Sequence, residues 1–188
     1  MSQGFVETIV AQHAAGSLFN TYTTAKTVIP ATSLITLPAN YIKIGTSFEI
    51  TVVGALSNIV TTPGTVVMQC MMGSIVAFTT GSIQLNATAH TLLPFRLDVL
   101  LTCRTVGPTT SAAFMGTGRL GGIHFTLTAA QVDAVNTGGS FAAPATAPTV
   151  GTGFDSTITN VLDFWTGFSI SDAGNGVRID QYFVKSLN

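Results

Sequence analysis

FRLDVLLTCR, residues 95–104, reads as a β-strand with one buried face. Phe95, Leu97, Val99, Leu101 and Cys103 occupy alternate positions, and Arg96, Asp98, Leu100, Thr102 and Arg104 fall between them. A period of two puts the first set on one side of an extended chain and the second on the other. The charge on the outer side calls for a reason. Only 8% of the 188 residues are charged, against about 25% in an ordinary soluble domain.

The same periodicity recurs on either side. SFEITVVGAL (47–56) sets Phe48, Ile50 and Val52 against Glu49, Thr51 and Val53. TVVMQCMM (65–72), SIVAFTT (74–80) and SIQLNAT (82–88) are further strands, and SLITL (33–37) is one that Pro38 ends. GGIHFTLT (121–128) places Ile123, Phe125 and Leu127 inward and His124 and Thr126 outward. GFSIS (167–171) and GVRIDQYFVKSL (176–187) are strands joined through DAGNG (172–176), a strong turn signal. In the last strand, Val177, Ile179 and Phe183 are expected on one face and Arg178, Asp180 and Tyr182 on the other. Eight or more short strands without an amphipathic helix predict an all-β fold, an antiparallel β-sandwich of jelly-roll type.

Residues 1–32 lack a clean period and read as an extended N-terminal arm or edge segment; 33–188 form the sandwich domain. The stretch NTGGSFAAPATAPTVGTG (136–153) is free of charge and is expected to be a long loop lying against something. The run GTVVMQCMMGSIVAFTTGSI (64–83) lies in a charge-free span, but Gln69, Gly73 and Gly81 interrupt it and its Val and Thr favour strands over a membrane helix. MSQGFVETIV has no basic region and no long apolar core, so no secretory signal is expected. Cys70 and Cys103 fall in phase with apolar neighbours and are expected to be free thiols in the core of a protein folded in a reducing compartment.

Catalytic, metal and cofactor chemistry find no support. GTGRLG (116–121) fits G-x-G-x-x-G, but a strand follows it where a dinucleotide site needs a helix. Gly116, Gly118, Gly121 and Gly122 are expected to mark a bulge and a tight turn. His13, His90 and His124 lack ligand spacing. A net charge of −1 gives no footprint for nucleic acid or anionic lipid. An enzyme is not expected. The aromatic group Phe154, Phe164, Trp165 and Phe168 is either packing or a sugar platform, with packing favoured. The residues expected at an interface are Arg96, Asp98, Arg104, His124, Phe154 and Trp165. Few surface ions suit a molecule covered by copies of itself or by partners.

Three segments resemble small virion proteins of tailed bacteriophages. LPANYIKIGTSFEITVVGALSN (37–58) is similar to a recurring block in which a Leu-Pro-x-Asn opening leads through a Lys-x-Gly turn into an alternating strand. FRLDVLLTCRTVG (95–107) with MGTGRLGG (115–122), and FSISDAGNGVRIDQYFVKSLN (168–188), resemble its later blocks, with Phe95 where the pattern has Trp. The resemblance implies a capsid decoration, or cement, protein in the virion, assembled in the host cytoplasm. It would act as a homotrimer on the phage major capsid protein, without nucleic acid or membrane. The alternative is a tail- or head-fibre adhesin module binding host surface glycan, or another tail structural component.

Overall fold

The computed structural model describes residues 7–12, 15–122, 125–126, 139–144, 151 and 153–187. In sequence order the strands are β1 (Glu7–Ala11), β2 (Phe19–Asn20), β3 (Lys26–Thr27), β4 (Ile35–Leu37), β5 (Ser47–Asn58), β6 (Thr65–Met72) and β7 (Ile75–Thr79). They continue with β8 (Ile83–Leu85), β9 (His90–Thr105), β10 (Ala113–Gly122), β11 (Phe125–Thr126), β12 (Gly139–Ala143), β13 (Asn160–Phe168) and β14 (Gly176–Ser186). One 3-10 turn at Ala31–Ser33 is the only helical element among the described residues.

Two antiparallel sheets pack together, as the alternating pattern predicts. The first runs β1-β14-β5-β9-β10-β12, with β2 also along β14. The second runs β11-β8-β6-β13-β3, with β7 beside β6 and β4 beside β13. The pairing is nested. β1 pairs with β14, β3 and β4 with β13, β5 with β9, and β6 with β7 and β8. The β14–β5 and β13–β6 ladders then join these pairs into the two sheets.

The core lies between them. Phe48, Ile50, Val52, Leu97, Val99, Leu101 and Val184 from the first sheet meet Val66, Met68, Cys70, Leu162, Phe164 and Phe168 from the second, all essentially inaccessible. Each large aliphatic or aromatic side chain removed from water here contributes about 1.5–3 kcal/mol. The alternation read in 95–104 and 47–53 holds residue by residue. Cys70 and Cys103 are free and buried, and desolvation pushes both thiols' pKa up.

Four expectations change. In β14 the register slips between Ile179 and Gln181, leaving Asp180 unpaired in a bulge. The phase shifts by one, so Tyr182 and Val184 point into the core and Phe183 turns outward. The bulge keeps Arg178 and Asp180 together outside, where the guanidinium Nε donates to the carboxylate at 2.7 Å.

Gly116, Gly118, Gly121 and Gly122 mark neither bulge nor turn; they lie within β10, whose ladder to β9 is regular from Phe114 onward. Gly116 and Gly118 leave room for the Phe78 ring from the facing sheet. A Cβ at Gly116 would sit 2.9 Å from Phe78 Cδ2, and one at Gly118 would sit 3.0 Å from Phe78 Cζ.

The strand expected at 167–171 lies earlier, at Asn160–Phe168. The stretch 136–153 contains a strand, β12, paired with β10; its positions 136–138, 145–150 and 152 lie outside the described residues.

Residues 7–11, 19–20 and 26–27 run along the chain's own sheets, and Val28 and Ile29 are core residues. No helix among the described residues is long and apolar enough to cross a membrane.

Candidate interaction face

The outer face of the first sheet gathers Glu49, Arg96, Asp98, Arg119, Arg178, Asp180 and Lys185, much of the chain's charge. Arg96 and Asp98 lie two residues apart on β9 and therefore on the same side. Arg96 Nε donates to Asp98 Oδ2 at 2.8 Å and Nη2 donates to Oδ1 at 2.9 Å, a two-pronged grip. Thr51 Oγ1, opposite on β5, donates to Asp98 Oδ1 at 2.8 Å. Arg119 stands opposite Asp98 on β10, and its Nε donates to Ser140 Oγ on β12. Side-chain bonds thus tie β5 to β9 and β10 to β12, and the charge of Arg119 facing Asp98 acts across the ladder between them.

Burial works to raise the pKa of Asp98. The hydrogen bonds from Arg96 and Thr51, with the charges of Arg96 and Arg119, outweigh it and hold the carboxyl below its ordinary range. The side chains of Arg96 and Asp98 remain 62% and 37% exposed, so solvent screening limits the pair to about 1 kcal/mol or less. Its effect is on geometry: it fixes where charge stands on the sheet. Gly121, in register with Arg96, leaves an open cavity of about 290 Å³ bounded by Arg96, Asp98, Arg119, Gly121 and Ser140. Lys185 and Glu49 complete the face as a looser pair at 3.5 Å.

The other expected residues are not brought to this cluster. Arg104 shares the outer phase of β9 but sits at the strand's end, and it makes no ion pair among the described residues. His124 lies outside the described residues. Phe154 is buried and stacks on Phe114, with ring centroids 5.3 Å apart. Phe164 and Phe168 are core residues, so these aromatics are packing and form no surface platform. Trp165 lies on the outer face of the second sheet, and its indole N–H donates to Asp163 Oδ2 at 2.6 Å.

Asp163 is the residue that sequence reasoning passed over. Its Oδ1 accepts from Thr27 Oγ1 at 2.9 Å and from the Phe164 backbone N–H at 2.6 Å, so it pins β3 onto β13 as well as fixing the indole. Burial raises its pKa and these three hydrogen bonds only partly oppose that. The available signal was the Asp-x-Trp spacing, which puts both on one strand face.

Among the described residues, no group of three or more His, Cys, Asp or Glu could hold a metal ion. The fold and surface define an all-β sandwich with one sheet face carrying a fixed array of charge. The chain matches no protein-family model, no curated protein and no solved structure.

Proposed function

We propose that the chain is a structural protein of a tailed-phage virion, a decoration protein that binds the head shell as a homo-oligomer. The observation that carries this is the nested strand pairing. Pairing first with last, and so inward to β6 with its neighbours, supports reading this sandwich as a jelly roll, an architecture shared by viral capsid and lectin domains. The low charge and the resemblance of residues 37–58, 95–122 and 168–188 to small virion proteins add to it.

In this reading the major capsid protein and further copies of the chain are the partners. The Arg96–Asp98–Arg119 array sits at or beside a contact and sets its register, as polar groups do in surfaces otherwise lined by hydroxyl and apolar groups. Among the described residues β1 pairs with β14 alone and ends the first sheet, a position that suits the N-terminal segment to reach toward a neighbouring molecule. Many weak contacts per copy suffice, because tethering multiplies affinity.

The test is co-sedimentation of the purified chain with empty tailed-phage heads stripped of accessory proteins. Saturable binding at a fixed ratio to capsid subunits, weakened by Arg96→Glu, is the expected result. No binding to heads from the virus that encodes the chain would overturn the reading.

A further inference from the structure

On the outer face of the first sheet, Arg96, Arg178 and Lys185 each hold a carboxylate, at 2.8, 2.7 and 3.5 Å. Arg119 holds none. Among the described residues it forms no ion pair, and its guanidinium makes a single hydrogen bond, from Nε to Ser140 Oγ. Arg104, also without an ion pair, lies six residues along β9 from Asp98, about 20 Å away.

The sheet builds a place for a ligand beside Arg119. Gly121 lies between Arg96 on β9 and Ser140 on β12, in register with both, and follows Arg119 by two residues on the same strand face. Lacking a side chain, it leaves the open cavity of about 290 Å³ that Arg96, Asp98, Arg119 and Ser140 surround. Both guanidiniums are held from one side. Arg96 commits Nε and Nη2 to Asp98 and keeps Nη1. Arg119 commits Nε to Ser140 and keeps its two Nη groups, an edge that can grip a carboxylate with two parallel bonds. The Ser140 hydroxyl accepts the Arg119 bond and retains its own proton to donate.

Charge selects the ligand. Two guanidiniums against the Asp98 carboxylate leave the cavity with one positive charge. A carboxylate neutralises it, whereas a phosphate dianion would set surplus negative charge against Asp98. The lining selects the carrier. Arginine, aspartate, glycine and serine give no aromatic or aliphatic wall of the kind that encloses a small organic molecule. A side chain on a protein surface needs no such wall, because the partner itself closes the site. Guanidiniums already held in place lose little freedom on binding it.

We propose that this cavity docks an Asp or Glu side chain of a partner protein, gripped by the Nη edge of Arg119 and completed by Arg96 Nη1 and the Ser140 hydroxyl. The inference deepens the decoration reading and rests on it for the partner: the head-shell surface that meets this sheet presents a carboxylate.

The probe is the peptide acetyl-Gly-Glu-Gly-amide, titrated into the isotope-labelled chain and followed by NMR at the Gly121 and Ser140 amides. Saturable shifts are expected, absent with the Gln peptide, and weakened about tenfold or more by Arg119→Ala. Gly121→Val fills the cavity without changing charge and should weaken binding as well, with unchanged melting verifying the fold. Arg104→Glu should leave the affinity within about twofold, since about 20 Å exceeds the screening length of about 8 Å at physiological salt.

Equal shifts from the Glu and Gln peptides, or equal affinity in Arg119→Ala, would overturn the inference. So would tighter binding of glucuronate, an acidic sugar, or of inorganic phosphate at the same ionic strength. Sedimentation with heads that Arg119→Ala leaves unchanged would also overturn it and leave the virion reading standing. Peptide binding at Gly121 without sedimentation would count against the virion reading alone.

Discussion

Asn175 closes the DAGNG turn and is wholly buried, and its amide clamps three separate loop positions. Nδ2 donates to Pro63 O at 3.0 Å and to Ile170 O at 3.2 Å, and Oδ1 accepts from the Ile59 backbone N–H at 3.0 Å. Asn175→Ala leaves one N–H and two carbonyls without these partners, the Pro63 carbonyl in a buried site and the Ile59 and Ile170 groups in partly buried ones. Each lost hydrogen bond costs about 1 kcal/mol net, and a buried group left unpaired costs about 1–3 kcal/mol. The expected loss is about 3–5 kcal/mol, which in a chain of this length lowers Tm by roughly 6–20 °C. Asn175→Asp keeps the acceptor for Ile59 but sets a carboxylate against two carbonyl oxygens, so it should be at least as damaging at pH 7 and recover in acid. Urea unfolding followed by the fluorescence of Trp165, the single tryptophan, reads both. A loss under about 1 kcal/mol for Asn175→Ala would refute the argument that these three bonds hold the loops together.

Trp165 emission should titrate in acid with a midpoint above the ordinary carboxylate value of 3.8, because burial raises the pKa of Asp163. The sign follows: the folded state takes up that proton first, so this group adds stability as pH falls from above its folded pKa toward 3.8. Asp98, with a lowered pKa, contributes stability above its unfolded pKa and loses it as pH falls through the folded one, by under about 1 kcal/mol given its exposure. Asp163→Asn should abolish the emission step, and a step that persists would assign it to another group. Gly118→Val brings a Cβ within 2.9 Å of Asp98 O and 3.0 Å of the Phe78 ring and should cost about 1–3 kcal/mol, part of it recovered by Phe78→Leu in thermal melts. Removing residues 1–11 should leave a cooperative unfolding transition while weakening attachment to heads. Removing residues 1–30 takes Tyr22, Val28 and Ile29 from the core and should abolish folding, as circular dichroism would report.

The fold was legible where one face of a strand is buried and the other is wet. β5 and β9 have that arrangement, and their inward residues follow from alternation alone. β14 does not, because a bulge at Asp180 inserts one residue and reverses the phase beyond it, and a count of two cannot register an insertion. β13 escaped for another reason. Both of its sides are largely covered, inward by Phe164 and Phe168 and outward by the Asp163–Trp165 pair, so NVLDFWTGF has no clean alternation. The glycines of β10 carry the signature of a turn, and for Gly116 and Gly118 the facing Phe78 ring explains the mid-strand position. Of the charged face, the Arg96–Asp98 partnership follows from their spacing on one strand. Arg119 and Ser140 join it through ladders whose register only the folded sheet defines.

Assembly is the claim on which the virion reading depends, and the molar mass of the purified wild-type chain across concentration tests it most directly. The account predicts a mass above 19.5 kDa, at a fixed multiple of it. A mass of 19.5 kDa held from about 1 µM to about 200 µM, a range over which even a weak specific contact would show, would contradict it.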